Sequence, residues 1–136
     1  MVRPINHDLV ILSRKSTPAT RADLVVAEEL LDTLRANSER CVGMAANMIG
    51  VNKRIIAVTV GFLHMVMLNP VITAKSGPYE AEEGCLSLPG VRKTKRFETI
   101  TLTYQDRDFK THTQTFTGFA AQIIQHEVDH CDGILI

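Results

Sequence analysis

A chain of 136 residues can form one domain with a substantial core and leaves little room for a second. Fifteen basic and fifteen acidic residues cancel, which excludes a bulk electrostatic attraction to nucleic acid or to acidic membranes. An apolar content of 45% excludes disorder, and three cysteines are too few for a disulfide-rich secreted scaffold. No apolar run approaches the ~18 residues of a membrane span, and the N-terminus lacks the apolar segment of a signal peptide. We therefore expect one cytoplasmic domain over residues 1–136.

The first predicted element is an amphipathic helix. Thr20 is a favourable N-cap, and Asp23 stands three residues later in the capping-box position. Apolar residues then recur at helical spacing as far as Arg35 or Asn37. Residues 41–50 follow as a loop of mostly small side chains.

The middle of the chain has the composition of strands. Four segments are β-branched or alternate in polarity: residues 55–60, 64–68, 99–104 and 111–116. Asn69-Pro70 is expected to close the second strand, Gly77-Pro78 to form a turn, and Asp106 to Asp108 to connect the last two strands as a hairpin. Residues 83–90 are too irregular for a helix. The order helix, strands, helix predicts an α+β fold of antiparallel strands with a helix packed on them.

The helical period returns at Gly118, and Gly133 is placed to end this last helix. The helix contains His126-Glu127-Val128-Asp129-His130, an HExxH pattern. Residues i and i+4 share a helical face, so the two imidazoles can bind one metal ion. Glu127 projects about 100° around the helix and can reach an adjacent water molecule as a general base. Two ordinary surface histidines are the alternative interpretation.

A catalytic metal site of this type needs a third protein ligand. The chain ends six residues after His130, so this ligand must come from upstream. Cys85 is the best candidate, because its glycine- and proline-bounded segment can approach the helix and a thiolate binds Zn²⁺ or Fe²⁺ well. Cys41 and His64 are weaker candidates, and Cys131 points away from the histidine pair.

Three segments together resemble the signature motifs of peptide deformylases in order and spacing: GMAANMIG (43–50), EGCLSLPG (83–90) and QHEVDHCDGIL (125–135). The stretch from Ile5 to Thr20 and the first helix also fit, so the resemblance covers essentially the whole chain. It implies an α+β fold with antiparallel strands around the C-terminal HExxH helix. The implied activity is removal of the N-formyl group from the N-terminal methionine of nascent bacterial proteins.

The resemblance also implies a role for each matching residue. Cys85, His126 and His130 would bind one divalent ion, Fe²⁺ or Zn²⁺, with Ni²⁺ or Co²⁺ able to substitute. Glu127 would take a proton from the attacking water and deliver it to the leaving amine. The backbone N–H of Leu86 would be one donor to the developing oxyanion.

Further matching positions concern the substrate. Val42 and Gly43 would line the methionine pocket and face the peptide backbone, Arg92 would help to hold the peptide, and Glu83 would support a metal ligand. The implied partners are N-formylmethionyl peptides, with the ribosome surface as a further candidate. No membrane contact and no sequence-specific nucleic-acid binding are expected.

The first motif departs from the family pattern at two positions. Cys41 replaces a glycine, and Met48 stands where the family has a glutamine whose amide donates to the oxyanion. A thioether cannot donate, and losing one such donor typically costs about 10²–10³ in kcat. Asn47 could replace that amide only if the loop were rearranged. Met48 itself is either a core residue or part of the substrate cavity, and weakened activity is expected either way.

Two alternatives to a deformylase remain open on these residues: a metallo-amidase for another acyl group, and a non-catalytic protein that keeps the metal and binds peptides. The basic run from Arg92 to Arg96 is interpreted as a solvated strand entrance, with contact to nascent-chain carboxylates or ribosomal RNA as the alternative. The chain also stops at Ile136, where the family usually continues. Either a C-terminal element is absent or a partner subunit covers its place.

Overall fold

Five antiparallel strands form one sheet in chain order, β1-β2-β3-β4-β5, in the computed structural model, which describes residues 1–136. The strands are β1 (Gly43–Ala45), β2 (Ile55–Val60), β3 (Leu63–Cys85), β4 (Leu88–Gln105) and β5 (Thr111–Thr117). The α-helices are α1 (Leu9–Leu12), α2 (Leu24–Ala36) and α3 (Gly118–Cys131), and short 3₁₀ turns cover Arg21–Asp23 and Ala46–Ile49. The predicted α+β class is confirmed. None of the helices combines the length and apolar character that crossing a bilayer requires.

The hairpin of β3 and β4 is much longer than the sequence predicted. The predicted turn at Gly77-Pro78 is wrong, because Ser76 pairs with Thr99 and Pro78 with Phe97 inside the hairpin. The chain reverses instead just after Cys85, within the second motif. This reversal places that motif at the hairpin tip.

Asn69-Pro70 does not end β3 as expected. Asn69 has a φ of 52° at an irregularity in the register, and the strand continues beyond it. Its side chain holds this bend in place, since Oδ1 accepts from the N–H of Ala19 at 2.7 Å and Nδ2 donates to Gln105 Oε1 at 2.8 Å. A left-handed asparagine thus produces the bend without terminating the strand.

The helix ends follow local capping rules. Helix α1, which the sequence analysis missed, begins after Asp8, whose carboxylate accepts from the N–H of Val10 at 2.9 Å. Asp23 accepts from the N–H of Thr20 at 2.8 Å, which is the reciprocal half of the predicted capping box. Gly133, with a φ of 76°, lies just beyond the end of α3 as predicted.

Strand β2 is buried on both faces and separates two hydrophobic clusters. Ile55 and Ala57 belong to the cluster that packs on α2, whereas Ile56 and Val58 belong to the cluster that packs on α3. This alternation follows from the two-residue period of a strand. Cys131 is buried in the second cluster, where it is a packing residue. The sheet therefore supports α3 directly, and α3 carries the HExxH pattern.

Candidate metal centre and active site

Three potential ligands converge where the tip of the β3–β4 hairpin meets α3. The donor atoms of Cys85, His126 and His130 all lie within 4.8 Å of one another, and the two histidine Nε2 atoms are 3.0 Å apart. The other two cysteine and histidine candidates lie outside this cluster. The Cys41 thiol donates to the carbonyl of Gly43 at 2.9 Å, and His64 contacts Thr59 Oγ1 at 2.9 Å.

The donor set suits a divalent metal ion. A thiolate and two imidazoles form a three-ligand set that leaves a fourth position for substrate or water. The N–H of Ser87 donates to Cys85 Sγ at 3.4 Å, a contact that holds the sulfur in place at the hairpin tip. The two histidine Nε2 atoms face each other and Cys85, so both point toward the position that a metal ion would occupy.

A buried carboxylate, Glu83, orients the first histidine. Its Oε1 accepts from His126 Nδ1 at 2.8 Å, which directs Nε2 of that ring toward the cluster. Gln122 donates to Oε2 at 3.0 Å, and Arg96 forms a fork to both oxygens at 2.7 to 3.1 Å. Arg96 also donates to Asp129 at 2.7 Å, so the network ties the hairpin to α3.

The charges in this network shift the pKa values strongly. Burial would raise the pKa of Glu83, but the hydrogen bonds from His126, Arg96 and Gln122 outweigh it and lower the pKa to about 2. Burial would lower the pKa of His126, but its contacts with Cys85 and Glu83 raise it to about 10. Burial and the neighbouring His126 lower the pKa of His130 to about 3. Glu83 is therefore a fixed anion beside this pair.

Glu127 lies on the same helix, and its carboxylate is almost completely buried. Its Oε1 has no hydrogen-bond partner. A Cβ added at Gly43 would stand only 2.8 Å from Glu127 Oε2, so the glycine is what allows β1 to approach this carboxylate. Burial raises the pKa of Glu127 to about 7, which suits a group that accepts and returns a proton near neutral pH.

A cavity of about 520 Å³ opens onto these groups. Its lining includes the predicted site residues Val42, Gly43, Met48, Cys85, Leu86, His126 and Glu127. His130 is fully buried and is not among the lining residues. Arg92 is not among the lining residues either. Its Nη2 donates to the carbonyl of Pro89 at 3.2 Å. The N–H of Leu86 donates to no backbone carbonyl, so it is available to a bound molecule.

Met48 combines the two roles that the sequence left open. It is 1% exposed, belongs to the cluster under α2, and also lines the cavity. The neighbouring Asn47 cannot replace the missing amide donor. Its Nδ2 donates to the carbonyls of His130 at 2.9 Å and Leu12 at 3.4 Å, and Asn47 does not line the cavity.

The N-terminal segment, residues 1–16, touches all three motifs. The N–H of Asn6 donates to the carbonyl of Met48 at 2.7 Å, and His7 Nδ1 donates to the carbonyl of Ser87 at 3.0 Å. The N–H of Ser16 donates to the carbonyl of Cys131 at 2.8 Å. This segment therefore supports the loop, the hairpin tip and the helix that build the site.

The most important supporting residues that sequence reasoning missed are Arg96 and Asp129. The basic run was expected to be solvated, but Arg96 is only 4% exposed, which corrects that expectation for this residue. Its burial is compensated by two carboxylates. Strand alternation was the available signal. Lys93 and Lys95 are exposed on one face of β4, and Arg96 points to the opposite face.

The three thiols are expected to differ in reactivity. Burial raises the pKa values of Cys41 and Cys131 to about 12, so both stay protonated near neutral pH and alkylate slowly. With a metal ion bound we expect no rapid reaction with iodoacetamide, and after brief chelation we expect Cys85 alone to react. Mass spectrometry of the alkylated peptides measures this, with Cys85→Ser as the control. Rapid labelling of Cys41 in the intact protein would contradict the expectation.

Known proteins are similar to this chain in sequence and in fold over nearly its full length. The family described as polypeptide deformylase matches residues 2–136. A peptide deformylase of Clostridium beijerinckii is 60% identical over 136 residues, and the alignment covers both chains completely. The Thermus thermophilus peptide deformylase structure superposes with a TM-score of 0.88 at 36% identity, covering 98% of this chain and 83% of that one. The Acinetobacter baumannii enzyme bound to Met-Ala-Ser gives 0.89 at 30% identity, covering 99% and 97%. Because the match spans all three motifs and the whole sheet, this chain belongs to the peptide deformylase family of metal-dependent hydrolases.

Proposed function

We propose that this deformylase hydrolyses the formyl group of N-formylmethionyl peptides at the cluster of Cys85, His126 and His130, with Glu127 as the proton carrier. The observation that carries the proposal is the convergence of a thiol and two imidazoles beside a buried, unpaired carboxylate oxygen at one cavity. The substrate class, nascent chains, implies a cytoplasmic location.

The proposed cofactor is one divalent ion, Fe²⁺ or Zn²⁺, with Ni²⁺ or Co²⁺ able to substitute. Held by this donor set, such an ion would supply a Lewis acid that polarises the formyl carbonyl and lowers the pKa of a neighbouring water molecule. Cys85 and the histidine pair would be its ligands, and Glu83 keeps His126 in the orientation that presents Nε2.

Glu127 would perform the proton transfers. It takes a proton from water as the oxygen attacks the formyl carbon, and it returns that proton to the amine nitrogen as the C–N bond breaks. Formate and a free N-terminal amine leave. The burial that raises the pKa of Glu127 keeps the carboxyl near the balance point between its two protonation states.

The peptide would lie along β1, the edge strand of the sheet. The outer side of an edge strand can pair with an extended chain, and Val42 and Gly43 line the cavity at this strand. The N–H of Leu86 would donate to the developing oxyanion. Arg92 lies at the hairpin tip beyond the cavity, where it could meet the carboxylates of a longer peptide.

The cross-strand neighbours of Lys93 and Lys95 support a solvated strand rather than an RNA-binding surface. Lys93 pairs in register with Glu82, and Lys95 with Glu80. These carboxylates offset the positive charge on which phosphate binding depends.

Formate release tests the proposed function. Protein purified anaerobically and analysed for metal content is loaded separately with Fe²⁺, Ni²⁺ or Zn²⁺ and given formyl-Met-Ala-Ser. We expect formate and free amine in equal amounts. No turnover with any of the three ions would overturn the proposal, and metal uptake without turnover would favour a non-catalytic peptide-binding protein.

Met48→Gln is expected to raise kcat/KM for formyl-Met-Ala-Ser by up to about 10²–10³, because an amide N–H replaces a group that cannot donate to the oxyanion. Met48→Leu is the matched control, since it removes the sulfur without adding a donor and should not reproduce the full gain. Steady-state kinetics on metal-quantified protein measure both variants. Unchanged activity in Met48→Gln, with the metal bound, would contradict a missing donor.

A further inference from the structure

A second sulfur atom faces the ligand cluster. Met48 Sδ lies 4.0 Å from Cys85 Sγ, and the Met48 side chain is 1% exposed. Met48 lines the same cavity as Cys85 and His126. Its sulfur is therefore fixed beside the thiol rather than free to turn into solvent.

The separation of the two sulfurs fits two ligands of one ion. Bonds of ~2.0–2.3 Å at tetrahedral angles place neighbouring ligand atoms roughly 3.3–3.8 Å apart, and a longer, weaker thioether bond increases that separation slightly. The observed 4.0 Å between Met48 Sδ and Cys85 Sγ lies just above this range, in the direction that a longer thioether bond gives. The His126 and His130 Nε2 atoms, 3.0 Å apart, are slightly closer than the range.

The Cys85 thiol donates to Met48 Sδ, so a lone pair of the thioether is directed at the ligand cluster. A metal ion that replaces the thiol hydrogen can accept lone pairs from both sulfurs. Cysteine, two histidines and methionine form a donor set known to bind metal ions, with the methionine as the weak, long ligand.

We propose that Met48 Sδ is a fourth, weak protein ligand of the metal ion in the enzyme without substrate. The proposal rests on the metal site of the proposed function and goes beyond it. The substituted residue of the first motif then does more than remove an oxyanion donor. It covers the open position until a substrate displaces it or the ion accepts a fifth ligand.

Selenium provides a direct test in the intact holoprotein. Selenomethionyl protein is loaded with Zn²⁺, and X-ray absorption at the selenium edge measures the distance from selenium to neighbouring atoms. We expect a zinc shell below about 3 Å, longer than the ~2.3 Å of a thiolate bond. Averaged over all selenium atoms, the shell should correspond to one-fifth of a zinc atom, because only one of the five methionines contacts the ion.

Two variants complete the test. Met48→Leu keeps a similar apolar volume and should remove the zinc shell, whereas Cys41→Ser, at the other sulfur lining the cavity, should leave it unchanged. With Co²⁺ in the site, the visible spectrum should shift in Met48→Leu and not in Cys41→Ser.

The outcomes separate this inference from the proposed function. Bound zinc with no selenium–zinc shell, or a shell that persists in Met48→Leu, would overturn the ligand role of Met48 while leaving formate release unaffected. Failure of Cys85→Ser to lower zinc binding would instead contradict the metal site itself.

Discussion

Glu127→Gln is expected to lower kcat/KM for formyl-Met-Ala-Ser by about 10²–10⁴, the contribution of a positioned general acid–base. The amide keeps nearly the same size in a site where Gly43 leaves no spare room. It cannot exchange a proton near neutral pH. Steady-state kinetics with metal content measured on the same sample give the result.

The control for this variant is metal binding. Cys85, His126 and His130 are unchanged in Glu127→Gln, so we expect wild-type metal content and an unchanged melting temperature within a few degrees. Activity within about threefold of wild type would show that another group carries the proton. Lost activity together with lost metal would show that Glu127 supports the ligands rather than the chemistry.

Glu83→Ala is expected to destabilise the fold by roughly 3–5 kcal/mol, because it leaves the buried Arg96 guanidinium without its main partner. For a chain of this length that corresponds to a melting temperature roughly 10–20 °C lower. Metal affinity should fall by about 10–100-fold as well, since His126 loses the carboxylate that orients it. Calorimetry and a competition assay with a chelator measure the two effects.

A matched surface pair calibrates that prediction. Glu28 bonds to Arg107, but both side chains are about half exposed, so Glu28→Ala should cost less than about 1 kcal/mol. If Glu83→Ala cost no more than Glu28→Ala, the buried network would not stabilise the protein. If metal affinity were unchanged, Glu83 would not orient His126.

The parts of the fold that the sequence predicted are those with a local signal. Helix α3 has a helical period and a glycine just beyond its end, and β2 is β-branched at every position except Ala57. The β3–β4 hairpin has no such signal beyond about residue 72. Its outer part is mostly exposed and polar, so its pairing depends on register between distant residues.

The candidate site divides in the same way. The histidine pair follows from helical spacing alone, and Cys85 from its segment and the family resemblance. Strand alternation indicates only that Arg96 lies on the other face from Lys93 and Lys95. Its partners could not be read locally, because they lie 13 and 33 residues away and only the hairpin brings them together. The contact between Met48 and Cys85 spans 37 residues and likewise exists only in the folded chain.

The contacts of the N-terminal segment have a consequence for the order of folding. The first sixteen residues are made first, yet their partners include Ser87, 80 residues from His7, and Cys131 at the end of the last helix. Closing such long loops is entropically costly until the intervening strands have paired. The beginning of the chain is therefore expected to dock last, so the active site acquires its final rigidity in the same late step that joins the two ends of the sequence.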